Sequence, residues 1–90
     1  MYKLNITDFG WNQIDQDFIL YSINKNTYYI LNETAKVIWD YMYEKKDFCS
    51  QDEMVRHIEN LYDCDDSSLI NKDVEQLMSL FLQIELVTQQ

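Results

Sequence analysis

Thr27-Tyr28-Tyr29-Ile30-Leu31-Asn32-Glu33-Thr34-Ala35-Lys36-Val37-Ile38-Trp39 changes its hydrophobic period part-way along, and that change decides the fold. The first five residues are β-branched, aromatic or aliphatic, a composition that fits a pleated, half-buried surface, so they read as a strand. Asn32 then offers a side-chain oxygen to the free amides of a helix start. Ala35, Ile38, Trp39 and Met42 recur at i, i+3, i+4 and i+7 as one apolar stripe. A strand therefore runs directly into a helix of about Glu33 to Glu44. Lys45 and Lys46 follow it, where positive charge suits the carbonyl end of the helix dipole.

Upstream, Lys3 to Ser22 reads as strand material in two pieces, with Asp15-Gln16-Asp17 as the turn between them. Trp11, Ile14, Phe18, Leu20 and Ile6 are the inward candidates. Asn24-Lys25-Asn26 is a short polar connection suited to a hairpin, because Asn tolerates positive φ, so the strand around Phe18–Ile23 pairs antiparallel with Thr27–Leu31. Downstream, Ser50 and Glu53 form a capping box ahead of a second helix lined by Met54, Val55, Ile58, Leu61 and Tyr62. Asp63-Cys64-Asp65-Asp66 is an acidic break, and Ser67 or Ser68 caps a third helix. Its stripe is Ile70, Val74, Leu77, Phe81 and Ile84, widened by Met78 and Leu82 beyond what one core face needs. The expected fold is α+β: a three-stranded antiparallel sheet followed by three helices, in a winged helix-turn-helix-like outline.

Ninety residues leave room for one domain, 1–90, with one modest core. Hydrophobic residues at 47% and charged ones at 26% are ordinary globular values, so a net charge of −9 does not imply disorder. With a single Gly and no Pro, the chain has no phosphate-cradling loop, which argues against nucleotide chemistry. Sixteen acids against seven bases repel nucleic acid and anionic lipid. The opening stretch Met1–Asp8 lacks the apolar run of a signal peptide or membrane span, which places the protein in the cytoplasm, with Cys49 and Cys64 as free thiols. His57 has no triad or metal partners at recognisable spacing, and the Asp63, Asp65, Asp66 run lacks the Gly and distal Glu of a calcium loop. Neither a catalytic centre, a metal nor a cofactor is expected.

Leu31-Asn32-Glu33-Thr34-Ala35 followed by Ile38-Trp39 resembles the strand-to-helix signature of the PqqD-like family. These are RiPP recognition elements, which bind leader peptides of ribosomally made, post-translationally modified peptides. Asp73-Val74, then Leu77, Leu80 and Leu86-Val87, resembles the same family's C-terminal pattern, and together the two motifs cover most of the chain from Trp11 onward. The resemblance implies a non-catalytic module that takes up a precursor's leader peptide. It would present that peptide to a separate modifying enzyme, such as a radical SAM enzyme or a lasso-peptide leader protease. One departure is Glu85 where the family pattern has Gly, so the third helix should run on or end without a left-handed cap, leaving Thr88-Gln89-Gln90 loose.

In a simple meander, strand Thr27–Leu31 has one neighbour and one open edge, which can accept an extended peptide. Two-residue alternation separates Thr27, Tyr29 and Leu31 from Tyr28 and Ile30, and the resemblance puts Tyr29 and Leu31 inward. The expected peptide-binding set is Thr27, Tyr28, Tyr29, Ile30 and Leu31 with Asp73, Val74, Leu77, Met78, Phe81 and Leu82 as the helical wall. For Leu77 and Phe81 core packing is the default, and for Met78 and Leu82 both readings stand. Asp73, Glu75, Glu85 and the run Asp63, Asp65, Asp66 could draw in Lys or Arg of a leader, or serve solubility alone. The exposed edge also admits exchange of β-elements in a homodimer. The alternative of a winged-helix DNA-binding regulator shares the outline, but the third helix offers one cation, Lys72.

Overall fold

The computed structural model describes residues 1–62 and 67–90. Among these residues, five strands and three helices follow in the order β1 (Tyr2–Leu4), β2 (Phe9–Ile14), β3 (Asp17–Ser22), β4 (Thr27–Leu31), α1 (Glu33–Lys45), α2 (Gln51–Tyr62), α3 (Ser67–Gln83) and β5 (Val87–Gln89). The acidic break at 63–66, with Cys64 and the calcium question, lies outside the described residues, as does the side chain of Ser67.

β2, β3 and β4 form the expected antiparallel meander. Ile14 pairs with Asp17 across a two-residue loop, and Asp15 takes φ 54°, the positive value that a primed turn needs at its first central position. Ser22 pairs with Thr27 across the second hairpin, where Asn26 supplies the positive φ of 50°. Phe18, Leu20 and Leu31 are buried beneath this sheet, and so is Phe9, which the sequence reading passed over. Ile14 and Ile6, expected inward, are exposed: Ile14 shares a face with Asp17 and Ile19, turned away from the helices. Trp11 lies on the inner face but only partly covered, its ring 5.3 Å from Trp39 and 5.5 Å from Tyr43.

A second sheet, absent from the sequence reading, pairs β1 antiparallel with β5. Thr88, Gln89 and Gln90 are therefore held rather than loose, with the Gln90 amide donating to the Met1 carbonyl at 2.9 Å. On its other side Tyr2 exchanges main-chain hydrogen bonds with Cys49, at 2.8 and 2.7 Å. The chain reaches this sheet because α3 stops in a left-handed residue after all. Glu85 has φ 65°, its amide donates to the Leu82 carbonyl and the Leu86 amide to the Phe81 carbonyl, the paired bonds of a Schellman ending.

α1 and α2 begin as their sequences direct, whereas Ser67, expected as a candidate cap, is the first residue of α3 itself. Asn32 accepts from the Ala35 amide at 2.8 Å, and the Ser50 hydroxyl accepts from the Glu53 amide at 3.1 Å while Glu53 reaches back to the Ser50 amide. Glu53 also accepts from Lys45 and from the Tyr41 hydroxyl, tying α1 to α2. The Lys45 hydrogen bond holds the Glu53 carboxyl below its ordinary range. Ala35, Ile38, Trp39 and Met42 of α1, Met54, Val55 and Ile58 of α2, and Ile70, Val74, Met78, Phe81 and Ile84 of α3 close one core. Leu61 and Tyr62, expected on the α2 stripe, are exposed. The Tyr62 hydroxyl instead donates to Glu33 at 3.1 Å, linking the end of α2 to the start of α1.

Candidate functional site

β4 is the last strand of its sheet, and among the described residues no backbone group bonds to its far side. Register decides which of its groups face that side. The closing pair of a two-residue hairpin is hydrogen-bonded, so Asp17, Ile19 and Tyr21 of β3 turn their amides and carbonyls toward β2. Phe18, Leu20 and Ser22 then serve β4 through Leu31, Tyr29 and Thr27. This leaves the N–H and C=O groups of Tyr28 and Ile30 pointing out of the sheet. Natural edges are usually blunted by charge, Pro or a bulge, and Thr27–Leu31 has no charged residue and no Pro.

α3 comes near both ends of β4. Lys25, in the hairpin before β4, donates to the carbonyl of Gln83 at 3.3 Å. At the other end of β4 a shallow depression of ≈ 330 Å³ is lined by Asn32, Thr34 and Ala35 on one side and Asp73, Gln76, Leu77 and Leu80 on the other. A second depression shares Thr34 and Asp73 and continues toward Glu33, Ile58, Tyr62 and Ile70. Partial desolvation of the hydroxyl, then its hydrogen bond to Glu33, pushes the Tyr62 phenol up, so it stays a neutral donor across the physiological range. Asp73 therefore stands on a ridge between two hollows, with no ion pair among the described residues.

In the strand half of the sequence-derived set, Leu31 is buried and Tyr29 half-buried while Tyr28 and Ile30 are exposed, as read; Thr27, on the Tyr29 side by alternation, is exposed at the strand's start. The helical half divides. Asp73 and Leu77 reach the depression, but Val74, Met78 and Phe81 are sealed in the core, Met78 at 1% exposure, and back the wall from behind. Leu82 is half-buried and packs on that core. At about 100° per residue it stands roughly 200° around α3 from Leu80, on the opposite flank of the stripe. Leu80, 46% exposed, and Gln76 take the place expected of Met78 and Leu82. The sequence favours the other flank, because Met78 and Leu82 widen the apolar stripe there while Leu80 stands among Asp73 and Gln76, and only packing turns Met78 inward. On the α1 side, Asn32, Thr34 and Ala35 also line the depression, a role that the cap at Asn32 and the stripe position of Ala35 do not signal in the sequence.

A family model described as coenzyme PQQ synthesis protein D (PqqD) matches residues 17–87, from β3 into β5. The chain belongs to this family. The PqqD match takes in β4, all three helices and the whole of the depression just described. Among solved structures, one titled TbiB1 in complex with the TbiA(beta) leader peptide aligns with TM-score 0.81 at 20% identity, covering 98% of this chain and 96% of that one. Another, a lasso peptide synthetase B1 complexed with the leader peptide, aligns with TM-score 0.79 at 16% identity, covering 98% of both chains. At those identities the likeness establishes the fold. No curated protein matches the chain.

The DNA-binding alternative finds no support in the PqqD membership or in the charge, since α3 carries Lys72 as its one base. No described helix is long and apolar enough to cross a membrane. His57 lies on α2 with its ring 4.5 Å from that of Tyr41.

Proposed function

We propose that this PqqD-family chain is a non-catalytic peptide-binding module that captures the leader segment of a ribosomally synthesised precursor by strand addition to β4. The observation that carries the reading is the uncovered row of main-chain groups at Tyr28 and Ile30, with the α3 wall alongside. An extended segment running antiparallel to β4 satisfies those groups. Its residue opposite Tyr29 then turns toward α3, and its N-terminal side reaches the hollow beside Asn32, Leu77 and Leu80. The leader peptides named with both structural neighbours support the same assignment.

The bound precursor is handed to a separate modifying enzyme, a radical SAM enzyme or a lasso-peptide leader protease, in the cytoplasm. Tyr28 and Ile30 make the edge, and Asp73, Leu77 and Leu80 make the wall. Val74, Met78 and Phe81 hold that wall in place, and Leu82 packs beside them. Edge-to-edge pairing of β4 between two copies would occupy the same groups as the leader, so a homodimer of that kind would not bind peptide. Titration with labelled halves of the precursor tests the proposal. The leader half binds saturably and the core half does not, and absence of saturable leader binding refutes it.

A further inference from the structure

The sheet has an outer face, turned away from the helices, that ends abruptly at β4. Two cross-strand rows run over it: Gly10, Tyr21 and Tyr28 form one, and Asn12, Ile19 and Ile30 form the other. Tyr21 and Tyr28 bring their rings to 6.1 Å, so the first row is already an aromatic ladder. Both rows are open at their β4 end, where Tyr28 is 69% and Ile30 65% exposed. These are the same two residues whose main-chain groups face outward. Whatever pairs with their backbone must also set side chains directly beside theirs.

Resting on the strand addition proposed above, we infer that Tyr28 and Ile30 select the docked segment by cross-strand pairing on the outer face. The partner is then an extended peptide with large aromatic or β-branched residues at two positions separated by one. In the antiparallel sense the first lies opposite Ile30 and the second opposite Tyr28, while the residue between them points past Tyr29 toward α3. Neighbouring side chains on one face of an antiparallel pair interact most when they are aromatic or β-branched, and here both host residues belong to those classes. A leader that satisfied only the α3 hollow would leave Tyr28 and Ile30 as wet as they are in the free protein. Recognition from both faces gives a short segment a second specificity element without a second pocket.

The test is selection of a displayed library of short peptides on the wild-type chain and on the Tyr28→Asn, Ile30→Asn double variant, whose backbone donors are intact. Peptides taken by the wild type should carry large apolar residues at both outer positions, and Ala at either should weaken binding by about two- to fivefold. The double variant should lose that preference and that Ala sensitivity while keeping the preference at the intervening position. Unbiased outer positions, or equal Ala losses on wild type and variant, overturn the inference while leaving strand addition standing. Peptides that bind Ile30→Pro as well as wild type bring down strand addition and the inference together. Thermal unfolding of both variants, with Ile30→Thr as a β-branched companion, guards against a change in fold.

Discussion

Replacing Ile30 with proline deletes one main-chain donor from the open edge of β4 and leaves the ladder to β3 whole. By the register, the Ile30 amide points away from β3, and its side chain is largely in water, so neither a sheet bond nor core burial is lost. Edge positions with an outward N–H are where sheets tolerate Pro, and the folding cost should stay below about 1 kcal/mol, a shift of no more than roughly 4–8 °C in Tm for a domain of this size. Binding should suffer far more. A lost intermolecular hydrogen bond, net about 0.5–1.5 kcal/mol, is compounded by a peptide carbonyl left facing the ring, for a total of roughly 1.5–3 kcal/mol. That corresponds to a Kd raised about tenfold to a hundredfold. Fluorescence anisotropy with a labelled leader measures the loss, and circular dichroism monitors the fold. Tyr29→Pro, one residue earlier, removes a bond to β3 and should destabilise by about 2 kcal/mol or more. An Ile30→Pro chain that melts like wild type and binds with unchanged Kd would refute the register argument and the docking mode together.

Leu80→Ser should leave Tm within the effect of about 0.5 kcal/mol typical of surface changes yet weaken leader binding several-fold, whereas Met78→Ala should destabilise by about 2–5 kcal/mol; denaturant melts beside peptide titration separate the two roles. Glu85→Gly relieves a non-glycine residue held at φ 65° and should stabilise the chain by about 0.5–1 kcal/mol, seen as a higher urea midpoint with unchanged slope. The hydrogen bond from Lys45 lowers the folded-state pKa of Glu53, so its contribution to stability is present above the ordinary glutamate pKa and is lost as pH falls through the lower folded value. The Tm gap between wild type and Glu53→Gln should therefore close on acidification, and a gap that stays constant from neutral pH to below 4 would contradict the pairing.

Local chemistry determined much of this molecule. The change of period at Asn32, the Ser50–Glu53 box and the hairpin at Asn24–Asn26 are each readable because their causes lie within a few residues, and each forms as read. The meander followed from the short connections, and with it the position of β4 at the edge. Where the local pattern favoured one solution and packing another, sequence could not decide. In α3, Met78 and Leu82 widen the stripe on one flank and Leu80 stands on the other, and only the packing of α1 and α2 against it decided that Met78 turns inward while Leu80 faces the hollow. Tertiary structure alone made the β1–β5 sheet, because its three-residue strands carry no pattern of their own and meet across nearly the full length of the chain. That pairing also explains why a glutamate occupies a left-handed position better suited to glycine: the turn is required to bring Leu86 and Val87 into the core, and burying those two side chains outweighs the local strain.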